Sequence, residues 1–499
     1  MSILRTILYQ HRAKFYFVLL TSLFMAIVWF ATKTVNFYLF GFPLVIIFGY
    51  MCLTNFRLLW YMTVFLMPLS ISDPEFFGKI AGVTFPTDFL AIMLVGIVIF
   101  KMLTERDWLF EFKSHPIPLI IGVQLLWLIF TATASDMPVV SWKYFAAYFW
   151  LLFCFYFLPT ILFREKQVMF RFFHLIAISF VLALGIILFL YVTTGRNPFG
   201  LRFNPGPFFV DHTVFGAFTA MWVPILIVLS FRMKLTARER LLARGALVMF
   251  ILGLFFSYSR GAWASCVLGL LLMGGFLMGK WLRRIILPSL MVIIGLGGYL
   301  WYAGQGKVRA KNDAVSRKSL TEHIASVTNF RTDFSNAERI NRWYCAWEMF
   351  KDKPISGFGP GTYAFVYGDY QKAHFRTPVS TNRGDNGTAH NEFLLVMSEG
   401  GFLAGIILLI FFIIPIWCGM RGYRKALNRN TRLLYLAITF ALITYDIHAF
   451  VNNFLDQDKV GGTYLALLAM ITVLDLHITP KENQQIQAEA QAEAVNALT

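Results

Sequence analysis

Charged residues are scarce in this sequence. Only 14% of its 499 residues are Asp, Glu, Lys or Arg, whereas 58% are hydrophobic and 53 are phenylalanine. Soluble globular domains usually carry about 25% charged residues. The composition therefore excludes a soluble globule and indicates a polytopic membrane protein.

Cysteine is also rare, with five residues in the chain. Four of them (Cys52, Cys154, Cys266 and Cys418) lie in apolar runs, and only Cys345 lies in a polar segment. This distribution gives no reason to expect a disulfide framework or a cysteine-ligated metal. A cleavable signal peptide is not expected either, because the first apolar run is long and lacks a small-x-small cleavage site.

Long apolar runs dominate what is present. Because a helix needs about 20 apolar residues to cross a bilayer, the sequence predicts an all-α protein with about fourteen transmembrane helices. These predicted spans are 15–32, 35–54, 58–71, 86–103, 117–134, 144–162, 170–192, 213–231, 245–259, 262–279, 285–303, 391–418, 433–454 and 461–478.

The basic residues orient the spans. With the N-terminus in the cytoplasm, the inside segments hold 24 Lys and Arg residues and the short outside segments hold 7. The remaining 13 lie in the long segment 304–389, and long loops are excused from the positive-inside rule. Both termini are therefore predicted to be cytoplasmic, and 304–389 becomes one large extracytoplasmic loop with short helices. Lysines and arginines that face anionic lipid explain most of the net charge of +17.

The pattern divides the chain into four parts. Residues 1–193 form an N-terminal bundle of about seven spans, and residues 194–419 form a core that includes the outer loop. Residues 420–479 supply the C-terminal helices, and 480–499 is a polar cytoplasmic tail.

Polar residues collect in three stretches that this topology places on the outer face. The first, "TGRNPFGLRFNPGPFFVDHTVFGAF" (194–218), brings Arg202, Asp211 and His212 to the membrane boundary. The second, "LFFSYSRGAWAS" (254–265), interrupts two apolar runs and is predicted to be a hairpin. An arginine is unusual in a short outside segment, so Arg260 in this second stretch is a candidate for function rather than for anchoring.

The third stretch is the loop 304–389, together with the residues that follow it. Within it, "NAERINRWYCAWEMFKDKPISGFGPGTY" predicts a helix capped by Asn336 and followed by a Gly-rich turn. Arg339 and Arg342 share one side of this helix. Backbone N–H groups in the turn 357–361 are of the kind that can bind phosphate. The residues predicted to form the apolar face of the helix are Ile340, Trp343, Tyr344 and Trp347.

These stretches carry a family resemblance. "SYSRGAWAS", then "RWYCAWEMFKDKPISGFGPGTY", then "AHNEFL" resemble, in order and spacing, the bacterial O-antigen ligase and O-antigen/exopolysaccharide polymerase superfamily, over about residues 195–410. Ligases of this family show His, then Asn, Ser or Gln, nine residues, Gly, two residues, and Gly, Thr or Tyr. Here His390 and Asn391 are followed by Gly401, but the last position is Ala404, so ligase and polymerase both stay open.

The resemblance implies a glycosyltransferase of the bacterial inner membrane with its active face outside. Such enzymes move a glycan from a polyprenyl-diphosphate carrier to an acceptor hydroxyl, without a metal or other cofactor. By resemblance, Arg202 and Arg260 bind the diphosphate and His390 activates the acceptor. Asp211, His212, Arg339, Arg342 and Asn391 are predicted to contact substrate. The acceptor is a glycan, a lipid A-core or a protein, and no nucleic acid is expected as a partner.

Two other functions are compatible with the sequence. A metal-dependent glycosyltransferase would use "DQD" (456–458) or "SDPE" (72–75), since paired carboxylates bind divalent cations. A flippase or transporter of lipid-linked glycans would also suit fourteen spans. Such a protein should carry charged groups or broken helices near mid-membrane, whereas the cations of this chain collect on one face. The polar residues inside apolar runs are predicted to make structural contacts: Asp88, His174, Asp446, His448, Asp475 and His477.

Overall fold

A computed structural model describes residues 22, 25, 55–71, 84–104, 115–195, 203–278, 334–372 and 387–496. These residues form helices and their connections, apart from one antiparallel bridge between Ile71 and Phe85. In chain order the helices are α1 (Phe56–Leu66), α2 (Thr87–Thr104), α3 (Pro116–Thr133), α4 (Pro138–Leu162), α5 (Lys166–Thr193), α6 (His212–Phe231), α7 (Ala237–Phe256), α8 (Arg260–Leu277), α9 (Phe334–Asp352), α10 (Tyr363–Val366), α11 (Glu392–Lys425), α12 (Arg429–His448) and α13 (Asp458–Asn496).

The all-α prediction is confirmed for the described residues. Eight of their helices are long and apolar enough to cross a membrane, namely α2, α3, α4, α5, α6, α8, α11 and α13. The predicted spans 35–54 and 285–303 lie outside the described residues, as does 15–32 except for Ser22 and Met25, which are helical. The count of fourteen spans and the orientation of the termini stay predictions.

Local signals in the sequence fix where several helices begin. Asp211 caps α6 by accepting from the backbone N–H of Val214 at 3.0 Å, and Asn391 caps α11 in the same way through Leu394 at 3.0 Å. Ser259 caps α8. Each side chain satisfies an N–H group that has no partner within its own helix, so these three helices start at defined residues.

Small residues let the helices around α12 approach closely. A Cβ on Gly269 of α8 would lie 2.2 Å from Oγ1 of Thr444, and a Cβ on Gly419 of α11 would lie 2.0 Å from Oγ1 of Thr439. Glycine at such positions permits tight contact between helices in a membrane. α12 is therefore packed between α8 and α11, and its C-terminal end reaches the first turns of both.

The prediction for the span 433–454 was wrong at its C-terminal end. α12 ends at His448, and residues 449–457 form a connection to α13. Side-chain hydrogen bonds hold this connection: Asn452 bonds to His448 and Asn453 to Thr388. The connection thereby lies against the segment that precedes α11.

The residues between α9 and the end of the Gly-rich turn are joined to α11 where that helix breaks, and we call this contact the clasp. The helix breaks at Gly401, which has a φ of 75°, and the N–H of Phe402 donates to the carbonyl of Pro354 at 2.8 Å. The turn 357–361 closes on the same break, where Gly357, Gly359 and Gly361 all have positive φ. Glycine tolerates this backbone region, so the Gly-rich turn follows the shape of the broken helix.

Two predictions for α9 were wrong in detail. The helix begins at Phe334, so Asn336 lies inside it and does not cap it. The buried side of the helix carries Asn341, Cys345 and Met349, whereas Trp347 of the predicted apolar face is 46% exposed. Cys345 and Met349 belong to an apolar cluster with Leu394 and Leu395 of α11. Ile340 of the predicted face is buried, at 8% exposure, so that prediction was right at one end of the face and wrong at the other.

Candidate functional site

The three polar stretches converge where α6, α8 and α11 begin. The charges of Arg339 and Asp211 both act on His390 and on His448. Gly261, the second residue of α8, packs against the imidazole of His448, since a Cβ there would lie 3.4 Å from its Cε1. His390 and His448 thus form one cluster with Asp211, Arg339 and the start of α8, although these residues lie far apart in the chain. We call this cluster the histidine site.

His390 lies immediately before α11 in an unusual backbone conformation. Its φ of 49° falls in the left-handed region, which costs a non-glycine residue of the order of 1–3 kcal/mol. The indole N–H of Trp343 donates to its carbonyl at 3.3 Å, and its Nδ1 lies 3.2 Å from Oδ1 of Asn452. Neighbours on two other elements therefore hold the strained residue in place.

Asn452 connects His390 to a second histidine. Its Oδ1 faces Nδ1 of His390, and its Nδ2 lies 3.0 Å from Nε2 of His448. An amide oxygen only accepts and an amide nitrogen only donates, so Nδ1 of His390 carries a proton and Nε2 of His448 carries a lone pair. In neutral His390 this leaves Nε2 as the acceptor nitrogen of the ring.

The electrostatic surroundings keep His390 neutral. Loss of hydration, together with the positive charges of Arg339 and Arg342, lowers the pKa of His390 from its usual 6.5 to about 4. Both causes disfavour the imidazolium form. Above pH 5 the ring is therefore ready to accept a proton.

The two arginines of α9 occupy different positions around His390. Arg342 donates from Nε to Glu338 at 2.9 Å and from Nη1 to the carbonyl of Thr388 at 3.0 Å. Its guanidinium also lies 5.6 Å from the ring centre of Tyr367. Arg342 thus fixes the segment before His390. Arg339, by contrast, is half-buried and its charge acts on His212, His390 and His448.

Arg260 is the first residue of α8 and lies at the predicted break between α7 and α8. The break contains Tyr258, which is buried and has a φ of 45°. Gly216 of α6 packs against it, since a Cβ there would lie 3.0 Å from Oγ of Ser257. The structure thus brings the start of α8 to the histidine site, while Arg202 lies outside the described residues.

Asp211 and Asn391 both make hydrogen bonds that hold the starts of helices in place. Asp211 accepts from the N–H groups of Thr213 and Val214. Asn391 is 9% exposed, and its Nδ2 donates to the carbonyl of Phe450 at 2.8 Å. Both side chains therefore position helices that carry the site. His212 is the first residue of α6, beside Asp211.

His448 and Asn452 are functional candidates that sequence reasoning missed. His448 was predicted to make only a structural contact, and Asn452 was placed inside a span. Their spacing of four residues was a usable signal, because side chains at i and i+4 of a helix lie on one face. The pairing with His390 depends on how α11 and α12 pack, which spacing alone does not show.

The Gly-rich turn does not present its N–H groups to a phosphate. The N–H of Gly357 donates to Lys353, that of Phe358 to Ser398 at 3.1 Å, and that of Gly359 to Glu399 at 2.8 Å, each at a carbonyl oxygen. The turn instead binds a side chain of its own chain. The N–H of Tyr363 donates to Oε1 of Glu399 at 2.9 Å.

Asp458 of "DQD" is engaged in a buried ion pair. Oδ2 of Asp458 accepts from Ser70 at 2.9 Å, and Lys459 lies 3.4 Å from its Oδ1. Because an ammonium already neutralises this carboxylate, Asp456 and Asp458 are poorly suited to share a cation. The stretch 72–75 lies outside the described residues.

One cluster of possible metal ligands lies at the far end of α11 from His390. Ligand atoms of His115, Cys418 and Asp475 fall within 4.8 Å of one another. Asp475, however, already bonds to Arg421 at 2.8 Å and to the hydroxyl of Tyr435 at 2.6 Å. A guanidinium beside the carboxylate opposes a cation, so the cluster fits an ion-pair junction of α3, α11, α12 and α13.

Comparison with known proteins identifies the region that holds most of this site. Residues 245–409 match the family described as O-antigen ligase. Among curated proteins, no sequence matches the chain. The family match confirms the predicted resemblance to the O-antigen ligase and polymerase superfamily, and it supports a glycan-transfer function at a membrane.

Proposed function

We propose that this chain transfers a glycan from a polyprenyl-diphosphate carrier to an acceptor hydroxyl, with His390 as the base. The observation that carries the proposal is the bridge through Asn452, which leaves Nε2 of His390 as the acceptor nitrogen. The family match over 245–409 supports the reaction class.

The chemical step follows from this arrangement. Nε2 of His390 takes the proton of the acceptor hydroxyl, and the oxygen forms a bond to the anomeric carbon of the glycan. The bond between that carbon and the diphosphate oxygen breaks, and polyprenyl diphosphate leaves with the electron pair. A histidine with a low pKa is neutral when the acceptor arrives, so the step needs no prior deprotonation.

Positive charge is needed where the diphosphate leaves. Arg339 is brought to the histidine site, and Arg260 begins α8 beside it. Three helices, α6, α8 and α11, begin here, and the N-terminus of a helix carries a partial positive charge. We assign Arg260 and Arg339, with Arg202, to the diphosphate, because guanidinium groups match phosphate oxygens and stay protonated.

Replacing the base tests the proposal. We expect His390→Gln to lower glycan transfer about 10²- to 10⁴-fold, the usual contribution of a general base, with an unchanged melting temperature. His174→Gln is the matched control, because among the described residues its imidazole hydrogen-bonds to the carbonyl of Phe170, four residues earlier in α5. Retention of full transfer by the His390 variant would refute the role of this residue.

A flipping assay separates transfer from transport. If the protein is a transferase, His390→Ala loses glycan transfer, while movement of the lipid-linked substrate across the membrane is unchanged. Loss of flipping in this variant would instead support a transporter. Transfer by the purified protein should also persist with a chelator present, whereas the metal-dependent alternative predicts its loss.

Deletion of the gene distinguishes the acceptors. Single repeat units on lipid A would show that the chain polymerises the glycan. Long glycans left on the polyprenyl carrier would show that it ligates finished chains. Surface polysaccharide and carrier-linked glycans should therefore be analysed together in the deletion strain.

A further inference from the structure

A cleft separate from the histidine site lies between α3, α4 and α11. It encloses about 560 Å³ when the open solvent at its mouth is included, and Pro360 of the Gly-rich turn is part of its wall. Glu399 lines it, nine residues along α11 from His390, which corresponds to roughly 13 Å at 1.5 Å per residue. The other hydrogen-bonding side chains in its wall are Gln124, Thr131, Tyr144 and Tyr148.

The surrounding backbone holds the carboxylate of Glu399 in place. The N–H groups of Gly361 and Tyr363 donate to it, and Glu399 itself is only 7% exposed. On the next residue, the carbonyl of Gly400 accepts from the indole of Trp127 at 2.9 Å. The Gly-rich turn thus preorganises an acceptor in the wall of the cleft.

The chemistry of the wall excludes two classes of ligand. No Lys, Arg or His is among the described residues that line the cleft, so none of them would neutralise the negative charge of a phosphate. A bare hydrocarbon chain would bury Gln124 and Tyr148 without new partners, and burying polar groups in this way is unfavourable. Neither a diphosphate nor a polyprenyl tail alone fits the polar part of the wall.

A sugar fits the same wall. Trp127, Tyr144 and Tyr148 supply flat aromatic surfaces for the C–H faces of a sugar ring, and the carboxylate accepts from its hydroxyl groups. The Tyr148 hydroxyl donates to Oε1 of Gln124 at 3.2 Å, so the amide nitrogen of Gln124 can still donate to a ligand. Below these groups, Leu128, Ala404, Ile407 and Leu408 form an apolar surface for a lipid chain.

We propose that this cleft binds the lipid-proximal sugar of a membrane-anchored acceptor, with Glu399 as the main hydrogen-bond acceptor. The inference rests on the proposed function, because it names a binding subsite for one of the two substrates. A sugar held here tethers the acceptor while its reacting hydroxyl, on another sugar, reaches His390. The donor is not the occupant, because its lipid-proximal sugar carries the anomeric carbon that reacts at the histidine site.

Photo-crosslinking in the producing cells tests the cleft. Benzoyl-phenylalanine replaces Leu128, which lines the cleft, or in a matched control Leu126, which lies on the same helix and is 71% exposed. We expect adducts that contain hexose or hexosamine by mass spectrometry at position 128 but not at 126. Adducts at 128 that contain phospholipid only, or no adduct, would overturn the proposal.

The mass of the adduct identifies which substrate is bound. A single repeat unit on polyprenyl diphosphate identifies the acceptor of a polymerase, and a different lipid anchor identifies the acceptor of a ligase. A long glycan on polyprenyl diphosphate, which is the donor, would overturn the proposal. Glu399→Gln in the same background should lower the sugar adduct about tenfold, since an oxygen that accepts a hydrogen bond from the sugar is replaced by an amide group that donates. An unchanged yield from this variant, at an unchanged melting temperature, would remove Glu399 from the site.

Adding His390→Gln to the position-128 background separates the two proposals. If the sugar adduct persists but His390→Gln leaves transfer intact, the cleft stands and the base assignment fails. If His390→Gln abolishes transfer but the adduct carries no sugar, the function stands and the cleft proposal fails.

Discussion

Asn452 determines which nitrogen of each neighbouring imidazole carries a proton. It accepts from His390 and donates to His448 with the two ends of a single amide. Hydrogen bonds of this kind fix both the tautomer and the orientation of a ring. The reactivity that we assign to His390 therefore depends on a residue that does not itself need to touch the substrate.

Substitution of Asn452 tests this positioning role. Asn452→Leu removes both bonds, and we expect glycan transfer to fall about tenfold or more, but by less than loss of the base itself, which is worth about 10²- to 10⁴-fold. Asn452→Asp still accepts from His390, so it should retain more activity, and its negative charge should raise the pKa of His390. Asn483→Leu also removes two hydrogen bonds, to Lys425 and Leu427, and serves as the control. Equal behaviour of all three variants would exclude a special role for Asn452.

The charge of Arg339 should control the lower pH limit of activity. Arg339 lowers the pKa of His390, so Arg339→Gln should raise this pKa from about 4 toward 6.5. The protonated, inactive form then appears at higher pH, and the acid limb of kcat/KM should move up by roughly one pH unit. Arg240→Gln, on the exposed start of α7, is the control. An unmoved limb would show that Arg339 does not act on the base.

Sequence reasoning at this scale found the charged members of the site but not their organiser. Arg260 stood out because an arginine is unusual in a short outside segment. Arg339 stood out because it shares one side of a helix with Arg342, and His390 because it lies in a stretch that resembles the family. Asn452 lies 62 residues from His390, and asparagine near the end of an apolar run is unremarkable. Only the packing of α12 between α8 and α11 brings the amide to the imidazole.

Among the elements, α11 is the one whose break matters most. At Gly401 a Cβ would lie 2.0 Å from the carbonyl oxygen of Ile355, and the residue has a positive φ. We expect Gly401→Ala to destabilise the fold by about 1–3 kcal/mol, seen as a lower melting temperature. Gly185→Ala in α5 is the control, because a Cβ there meets nothing within 4 Å and alanine favours helix. Equal melting temperatures for both variants would contradict the clasp.

The clasp also shows what a local pattern leaves open. Glycines in the stretch 357–361 correctly predicted a turn, but their pattern suggested free N–H groups for phosphate. The N–H groups of Gly357, Phe358 and Gly359 instead donate to the carbonyl groups of Lys353, Ser398 and Glu399. The last two carbonyl groups lie beside the break in α11, where they need donors from outside the helix. Which acceptor an N–H group meets is a property of the folded molecule.

For the molecule as a whole, hydropathy predicted where the helices lie better than which of them are buried by the rest of the protein. The predicted spans 86–103, 117–134 and 170–192 correspond to α2, α3 and α5, because a bilayer demands long apolar segments. In the most apolar 18-residue window of α6, 89% of the residues are buried by the rest of the protein, whereas the share in α3 is only 28%. Lipid and protein interior both favour apolar side chains, so the sequence does not show which helices are central.

The predicted orientation can be tested from outside the cell. Lys351→Cys in α9 should react with a membrane-impermeant thiol reagent in intact cells, because 304–389 is predicted to be outside. Leu427→Cys, between α11 and α12, is 51% exposed but should react only after lysis. The four described cysteines of the chain are buried, so the unsubstituted protein provides the background signal. Labelling of Leu427→Cys in intact cells would reverse the topology.

The bridge through Asn452 also has a consequence for biosynthesis. His390 leaves the ribosome 62 residues before its partner, and α11 and α12 lie between them. Chains emerge from the N-terminus onward, so an unfinished chain that ends in α12 would contain the histidine without the amide that orients it. The chain would then become active only after α11, α12 and the residues that follow them have been synthesised and inserted. Unfinished chains would therefore be unable to react.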